Sequence, residues 1–307
     1  MSRDATAGIG GSDIGKVIGV SPWGGPLDVY LSATGQAPPF AGNLATRAGS
    51  ALEPVIAQSY TEETGIALDP GRSRVHPRRQ WQRGTTDREA PSAGLLIEIK
   101  TGNLRTAHRW GEPGTDEIPE EYLAQCHWYL GLAPEASRCD VPVLLGGSEL
   151  RIYRVDRDLE LEAALVERAE RFWVDHVLAR VPPPVDASET AREWLRRQYP
   201  RVARPELLES NPEVDSVALE LRAARETIKR AERVEALARN RLMDVIGGAR
   251  GVRGSWGQVR WADRKSPARV EWETLARKLG ATEEQIEAHK SRKDSTRVFQ
   301  AHFSEED

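Results

Sequence analysis

Asp87, Glu98 and Lys100 form a D-x10-E-x-K array, and Glu53 stands upstream on a segment with helical periodicity. Carboxylate oxygens of this kind suit a hard divalent cation such as Mg²⁺ or Mn²⁺, and no His/Cys cluster points to zinc. Side chains on a strand alternate with period two, so Glu98 and Lys100 share one face while Ile99 enters the opposite, buried face. A carboxylate and an ammonium on a core strand are costly to bury unless they have partners or work. Asp87 sits beside Glu98 if its own strand pairs with the strand of Glu98 as a hairpin. By itself the triplet also fits a hairpin carrying surface ion pairs.

The elements that must position these residues follow from periodicity. Ser12 or Asp13 is expected to cap a short helix after the glycine-rich start, and Pro26 to open a second one. Leu44, Ala48, Ala51, Leu52, Val55, Ile56 and Tyr60 repeat with helical spacing up to Gly65. Strands are expected over 73–76, 81–88 and 95–100, and a helix after Pro119 with Tyr122, Leu123, Cys126, Tyr129 and Leu130 on one side. Residues 139–145 and 150–155 read as paired strands joined by Gly146-Gly147, and 158–180 as an amphipathic helix. Prolines 182–184 mark a domain boundary, giving domains 1–182 and 183–307. Beyond it come a long charged helix over 214–246, too alanine-rich for a clear heptad, and a Gly/Arg/Trp-rich segment that alternates like a strand.

With 307 residues the chain is long enough for about two domains. Its 39% hydrophobic content supports a core, which excludes disorder throughout. A net charge of -4 excludes a uniformly basic coat for nucleic acid, though basic residues outnumber acidic ones after residue 180. Two cysteines cannot build a disulfide scaffold, no apolar run spans a membrane, and the start lacks the apolar core of a signal peptide. Together these predict an intracellular protein with reduced thiols.

The D-x10-E-x-K spacing is the signature of the PD-(D/E)xK nuclease fold, and its neighbours sharpen it. Gly8-Ile9-Gly10-Gly11-Ser12-Asp13-Ile14, Ser21-Pro22-Trp23, Gly49-Ser50-Ala51-Leu52-Glu53-Pro54, His76-Pro77, Thr86-Asp87-Arg88, Glu98-Ile99-Lys100-Thr101 and Tyr122-Leu123-Ala124-Gln125 occur in this order. On these motifs the sequence, over about residues 8–180, resembles the YqaJ-type viral recombinases, the lambda-exonuclease-like branch of that fold. The resemblance implies an α/β restriction-endonuclease-like core, a mixed central sheet flanked by helices, followed by an α-rich accessory region. It implies a Mg²⁺-dependent (or Mn²⁺-dependent) deoxyribonuclease of phage or prophage origin acting in the host cytoplasm. The implied activity is 5′-to-3′ trimming of linear duplex DNA, with a single-strand annealing partner and a homo-oligomer of the kind that is a trimeric ring in the lambda-type enzyme. An endonuclease or bidirectional exonuclease of the same fold, or a non-catalytic DNA-binding subunit, are the competing readings.

Carried over by residue, the resemblance makes Asp87, Glu98 and the Ile99 carbonyl ligands of one cation. It makes Glu53 a ligand of a second, so that two ions per site are expected. Lys100 becomes the active-site lysine, and Gln125 the glutamine of the downstream helix. Tyr129, at i+4 from Gln125, is expected to reach the site and DNA with it. Ser12 matches a position near the DNA 5′-phosphate. The arginine that the lambda-type pattern carries seven residues before it is Ala5 here, with Arg3 close by. Trp23 reads as a base-stacking wedge or a core-rim residue, and Arg250, Arg253 and Arg260, interleaved with Trp256 and Trp261, as a DNA-contacting ribbon or a solvated hairpin. Trp81, Trp110, Trp128 and Trp173 are expected in the core, and His76 in a structural role.

Overall fold

In the computed structural model, residues 8–37, 42–263 and 271–289 are described. The chain divides into a unit ending at Gln198 and a second beginning at Tyr199. The proline stretch at 182–184 therefore lies inside the first unit. The segment after it returns to the core through a helix over Glu189–Gln198, where Ala191 is buried and Thr190 Oγ1 donates to Asp28 Oδ1 over 2.7 Å.

The first unit runs α1 (Gly11–Val17), α2 (Pro26–Ala33), α3 (Leu44–Thr64), β1 (Asp69–Pro70), β2 (Ser73–Val75), β3 (Arg83–Thr85), β4 (Arg88–Ala90), β5 (Leu95–Ile97), β6 (Lys100–Gly102), α4 (Glu120–Leu130), β7 (Arg138–Leu145), β8 (Glu149–Asp156), α5 (Leu159–Phe172) and α6 (Glu189–Gln198). β2 and β3 form a separate antiparallel pair. The main sheet is mixed: β1, β4 and β5 pair antiparallel in series, β5 and β6 both lie parallel to β7, and β8 closes antiparallel on β7. Parallel pairing of β5 and β7 requires a crossover, and α4 supplies it. In the second unit α7 (Pro212–Ile246) precedes the hairpin β9 (Gly251–Gly254) and β10 (Gly257–Arg260), then α8 (Trp272–Lys278) and α9 (Glu283–Ala288). Among the described residues no helix is long and apolar enough to cross a membrane.

Two apolar layers sandwich the sheet. Ile56, Ala57 and Tyr60 of α3 pack on Ala90, Leu95, Ile97 and Ile99. On the other face Ile14 of α1, Cys126, Trp128 and Leu130 of α4 and Leu165 and Ala169 of α5 meet Leu96, Cys139, Val141 and Val143. The four tryptophans expected in the core pack against this second layer. Alternation along β5 thus assigns Leu95 and Ile97 to the α3 face and Leu96 to the α4 face.

Two expected strands are broken. Residues 81–88 yield β3 and β4, separated by Thr86 and Asp87, and residues 95–100 yield β5 and β6, separated by Glu98 and Ile99. The second break keeps its register, since Ile97 pairs with Asp140 and Lys100 with Val143. That register sets Pro142 opposite Ile99. Proline has no N–H to continue the ladder, whereas Glu98 N–H still donates to the Asp140 carbonyl over 3.0 Å. The helix caps differ as well. The N-cap of α1 is Gly10, and the Asp13 carboxylate takes the Gly10 N–H over 3.2 Å, so Ser12 lies within the first turn.

The loop that carries Asp87 is pinned by a buried carboxylate. Glu89 accepts from both Arg74 terminal nitrogens, from Thr86 Oγ1 over 2.7 Å and from Arg72 N–H over 3.3 Å. Gly71 lets the strands close, because a Cβ there would stand 1.8 Å from the Thr86 carbonyl oxygen. Burial would raise the Glu89 pKa, but the bonds from Arg74 and Thr86 outweigh it and hold it below the usual range. A carboxylate depressed on folding stabilises the fold above its unfolded pKa, ~4.3, and that contribution is lost as pH falls through the lower folded value. Glu89→Gln is therefore expected to cost about 2–4 kcal/mol in urea unfolding at pH 7. The deficit should shrink as the pH is lowered below ~4, and a deficit that stays constant with pH would exclude the ion pair as its source.

Candidate active site

Asp87 and Glu98 come together because β4 and β5 are antiparallel with Arg88 opposite Ile97. Extending that register by one residue sets Asp87 against Glu98, on the α4 face. Asp87 Oδ2 accepts the Ile99 N–H over 2.7 Å, so the carboxylate substitutes for the strand partner that Ile99 lacks. Lys100 Nζ donates to Glu98 Oε1 over 2.5 Å and to Gln125 Oε1 over 3.1 Å. The Gln125 amide donates to the same Glu98 oxygen over 2.6 Å and to Tyr129 Oη over 3.0 Å. Glu98 is only 3% exposed, its Oε1 takes two donors, and its Oε2 is buried with no partner. An orphaned buried carboxylate oxygen costs free energy unless something positive meets it.

The electrostatics point the same way. Burial, and then the negative charge of Glu98, push the Asp87 pKa up to about 8 against the pull of Lys100 and the Ile99 N–H. Burial alone would discharge Lys100, but the charge and hydrogen bond of Glu98 overcome it and raise its pKa, so it stays an ammonium. Its Nζ also lies 4.6 Å from the centre of the Tyr122 ring. Two adjacent carboxylates, one with a buried oxygen that has no partner, are a donor set that suits Mg²⁺ or Mn²⁺. A divalent ion would satisfy Glu98 Oε2 and relieve the repulsion that raises Asp87.

The charge of Glu53 adds to the burial and the Glu98 charge that raise Asp87. Glu53 Oε1 accepts from Arg88 Nη1 over 2.6 Å, and among the described residues no group of three or more metal-binding side chains is formed. Tyr129 meets Gln125 as expected, but as a buried residue. It is 6% exposed, and a Cβ at Gly11 would stand 2.3 Å from its Cε1 and one at Gly84 2.7 Å from its Cδ1. The glycines admit the ring, so Tyr129 holds Gln125 from within the core and presents no surface to DNA. Ser12 is exposed, and Trp23, 61% exposed, sets its ring 5.8 Å from that of Tyr122. Trp110 stacks on the same ring at 5.6 Å, forming an aromatic shelf beside Lys100. His76 Nδ1 accepts two backbone N–H groups of its own turn, as a structural residue does. Arg253 and Arg260 lie on β9 and β10 of the second unit, and Arg250 immediately precedes β9. Ala5 and Arg3 lie outside the described residues.

Residues 3–135 match the YqaJ-like viral recombinase domain. Over that segment the chain is similar to this family. The uncharacterized protein YqaJ of Bacillus subtilis (strain 168) is 31% identical over 207 residues, 65% of this chain and 64% of the relative, so the match spans less than two thirds of YqaJ. Among solved structures, an alkaline exonuclease from Laribacter hongkongensis is similar with a TM-score of 0.48 and 19% identity, covering 63% of this chain and 94% of that one. A phage related exonuclease from Haemophilus somnus 129PT gives a TM-score of 0.43 and 18% identity over 56% and 96% of the two chains. In this YqaJ-like domain sequence reasoning assigned no role to Arg88 and Tyr122, although both stand in the motifs that carry the resemblance. Alternation next to Asp87 was the signal for Arg88, since it sends that side chain to the α3 face. Its pairing with Glu53 needed the tertiary fold.

If the Asp87–Glu98 pair is a cation site held together against repulsion, Asp87→Asn should raise the thermal midpoint of the metal-free protein by roughly 2–4 °C. Mn²⁺ should stabilise the wild type and leave Asp87→Asn unmoved. A variant that melts lower without metal yet still responds to Mn²⁺ would place the ion elsewhere. Differential scanning calorimetry reads both.

Proposed function

We propose that the chain is a Mg²⁺-dependent (or Mn²⁺-dependent) deoxyribonuclease that trims linear duplex DNA from its ends, 5′ to 3′, leaving single strands for annealing recombination. The observation that carries this reading is the buried, partnerless Glu98 Oε2 next to an Asp87 whose charge is suppressed by burial and then by the charge of Glu98. Such a pair serves no stabilising purpose in a binding module. The YqaJ-like domain and the exonucleases among the similar structures agree with it.

Asp87, Glu98 Oε2 and the Ile99 carbonyl would hold the cation, which when bound acidifies a water and offsets charge on the phosphate. In hydrolysis the water oxygen bonds to phosphorus, one P–O ester bond breaks, and the leaving oxygen is protonated. Lys100 remains charged, so it stabilises the phosphate or orients the water and takes no proton from it. Gln125 and Tyr122 aim the Lys100 ammonium, and Tyr129 aims Gln125. Trp23, exposed at the edge of the shelf, offers a face to a terminal base. The basic hairpin with Arg250, Arg253, Arg260 and the exposed Trp256 is a sequence-independent grip on the backbone. Ser12 near the 5′-phosphate, an annealing-protein partner and a ring-shaped homo-oligomer complete the proposal on family grounds.

Three substrates test it in Mg²⁺: linear duplex with a 5′-phosphate, linear duplex without it, and closed circular duplex. Mononucleotide release from the linear forms alone is expected, abolished by EDTA and by Asp87→Ala. Cutting of the circle would make it an endonuclease, and no cleavage of any substrate would leave a DNA-binding subunit. Lys100→Ala should retain DNA binding and lose about 10²–10³-fold in turnover, the scale of removing one charge-stabilising donor.

A further inference from the structure

Helix α7 carries an apolar face that the second unit leaves largely exposed. From Ala223 to Arg241 every residue is exposed. A helix in water draws most of its stability from packing such a face. The ion pairs within α7, Arg222 with Glu226 and Arg239 with Glu235, contribute little by comparison. Counted from Val214 in alternating steps of three and four, positions 214, 217, 221, 224, 228, 231, 235, 238, 242 and 245 are all apolar except Glu235. That is a heptad seam along the whole helix, longer than the roughly 3–4 heptads a coiled coil needs. Ile228, at its centre, is 58% exposed.

We propose that α7 pairs antiparallel with α7 of a second copy of this chain. Side-chain size sets the direction, and the alanines that blur the heptad in one helix become its complement in two. With Ile228 of one copy level with Ala231 of the other, Leu221 faces Ala238 and Leu242 faces Val217, so large residues meet smaller ones. A parallel pair would stack each alanine on itself and set Glu235 against Glu235, a like-charge contact inside the seam. In the antiparallel pair Glu235 faces Ala224 and lies beside Arg225 of the other copy. The charges on the rims agree. The same register brings Glu220 next to Arg241 and Arg225 next to Glu232 across the interface, each twice by two-fold symmetry. Within one helix Glu220 and Arg241 stand roughly 30 Å apart and cannot meet. The contact uses the second unit alone, so it is independent of the nuclease reading and of any ring built by the first unit.

Sedimentation equilibrium of the full-length protein tests the pairing. An even number of chains per particle is expected. Ile228→Asp, which puts a carboxylate into the seam at an exposed position of the single helix, should halve that number. A monomer, a particle of three chains, or a number that Ile228→Asp leaves unchanged would overturn the proposal. Charge reversal reads the direction. Glu220→Arg alone and Arg241→Glu alone each set like charges across the interface twice, and each should weaken association by about tenfold. An equal mixture of the two single variants should regain the wild-type association, because opposite charges then face each other again. The double variant Glu220→Arg/Arg241→Glu should regain it for the same reason. Failure of either to recover would exclude the antiparallel register, since a parallel pair never brings these two positions together.

Discussion

Two carboxylates held side by side below the surface repel each other, and the rest of the first unit is arranged around keeping them there. The repulsion between Asp87 and Glu98 is sustained by backbone pairing, since the antiparallel register of β4 and β5 determines how far apart the two chains stand. Each acid has one oxygen committed, Asp87 to the Ile99 N–H and Glu98 to Lys100 and Gln125. Fixing one oxygen of each carboxylate restricts how both side chains can turn.

That commitment extends outward in layers of ordinary packing. Glu98 N–H is tied to the Asp140 carbonyl, and the Asp140 carboxylate accepts from Tyr60 of α3 over 2.6 Å and from Arg138 over 2.6 Å. On the opposite face Gln125 is held by Tyr129, which in turn fits only because Gly11 and Gly84 leave room for its ring. The glycine-rich start of the chain thus serves the site indirectly, by admitting an aromatic ring that orients an amide that orients a lysine. Glu89, buried among Arg74, Thr86 and Arg72, does the same for the loop of Asp87. Buried networks of this kind resist change when complete and fail together when one member is removed.

Much of this was legible in one dimension. Period-two alternation placed Glu98 and Lys100 together and Ile99 apart, and helical spacing placed Gln125 and Tyr129 on one face of α4; the structure shows both. Where the reading failed, a long-range contact intervened. Tyr129 shares a face with Gln125, yet that face is covered by α1 and β3, so the ring is core. Residues 95–100 look like one strand, but Pro142, more than forty residues away, removes the N–H that would have continued the ladder. The prolines at 182–184 do stop a helix, and the chain nevertheless returns to the same core through Ala191.

The sequence by itself determined which chemical groups the protein can bring to bear: hard oxygen donors, a lysine two residues from one of them, and the helical and strand periods that carry them. Such information is local, because alternation and helical rise depend only on the backbone. Which charges meet was decided by the tertiary structure. Glu53 and Arg88 are 35 residues apart and become partners only when α3 lies across β4. Pairing of charges is a property of distance in space, on which spacing along the chain is silent.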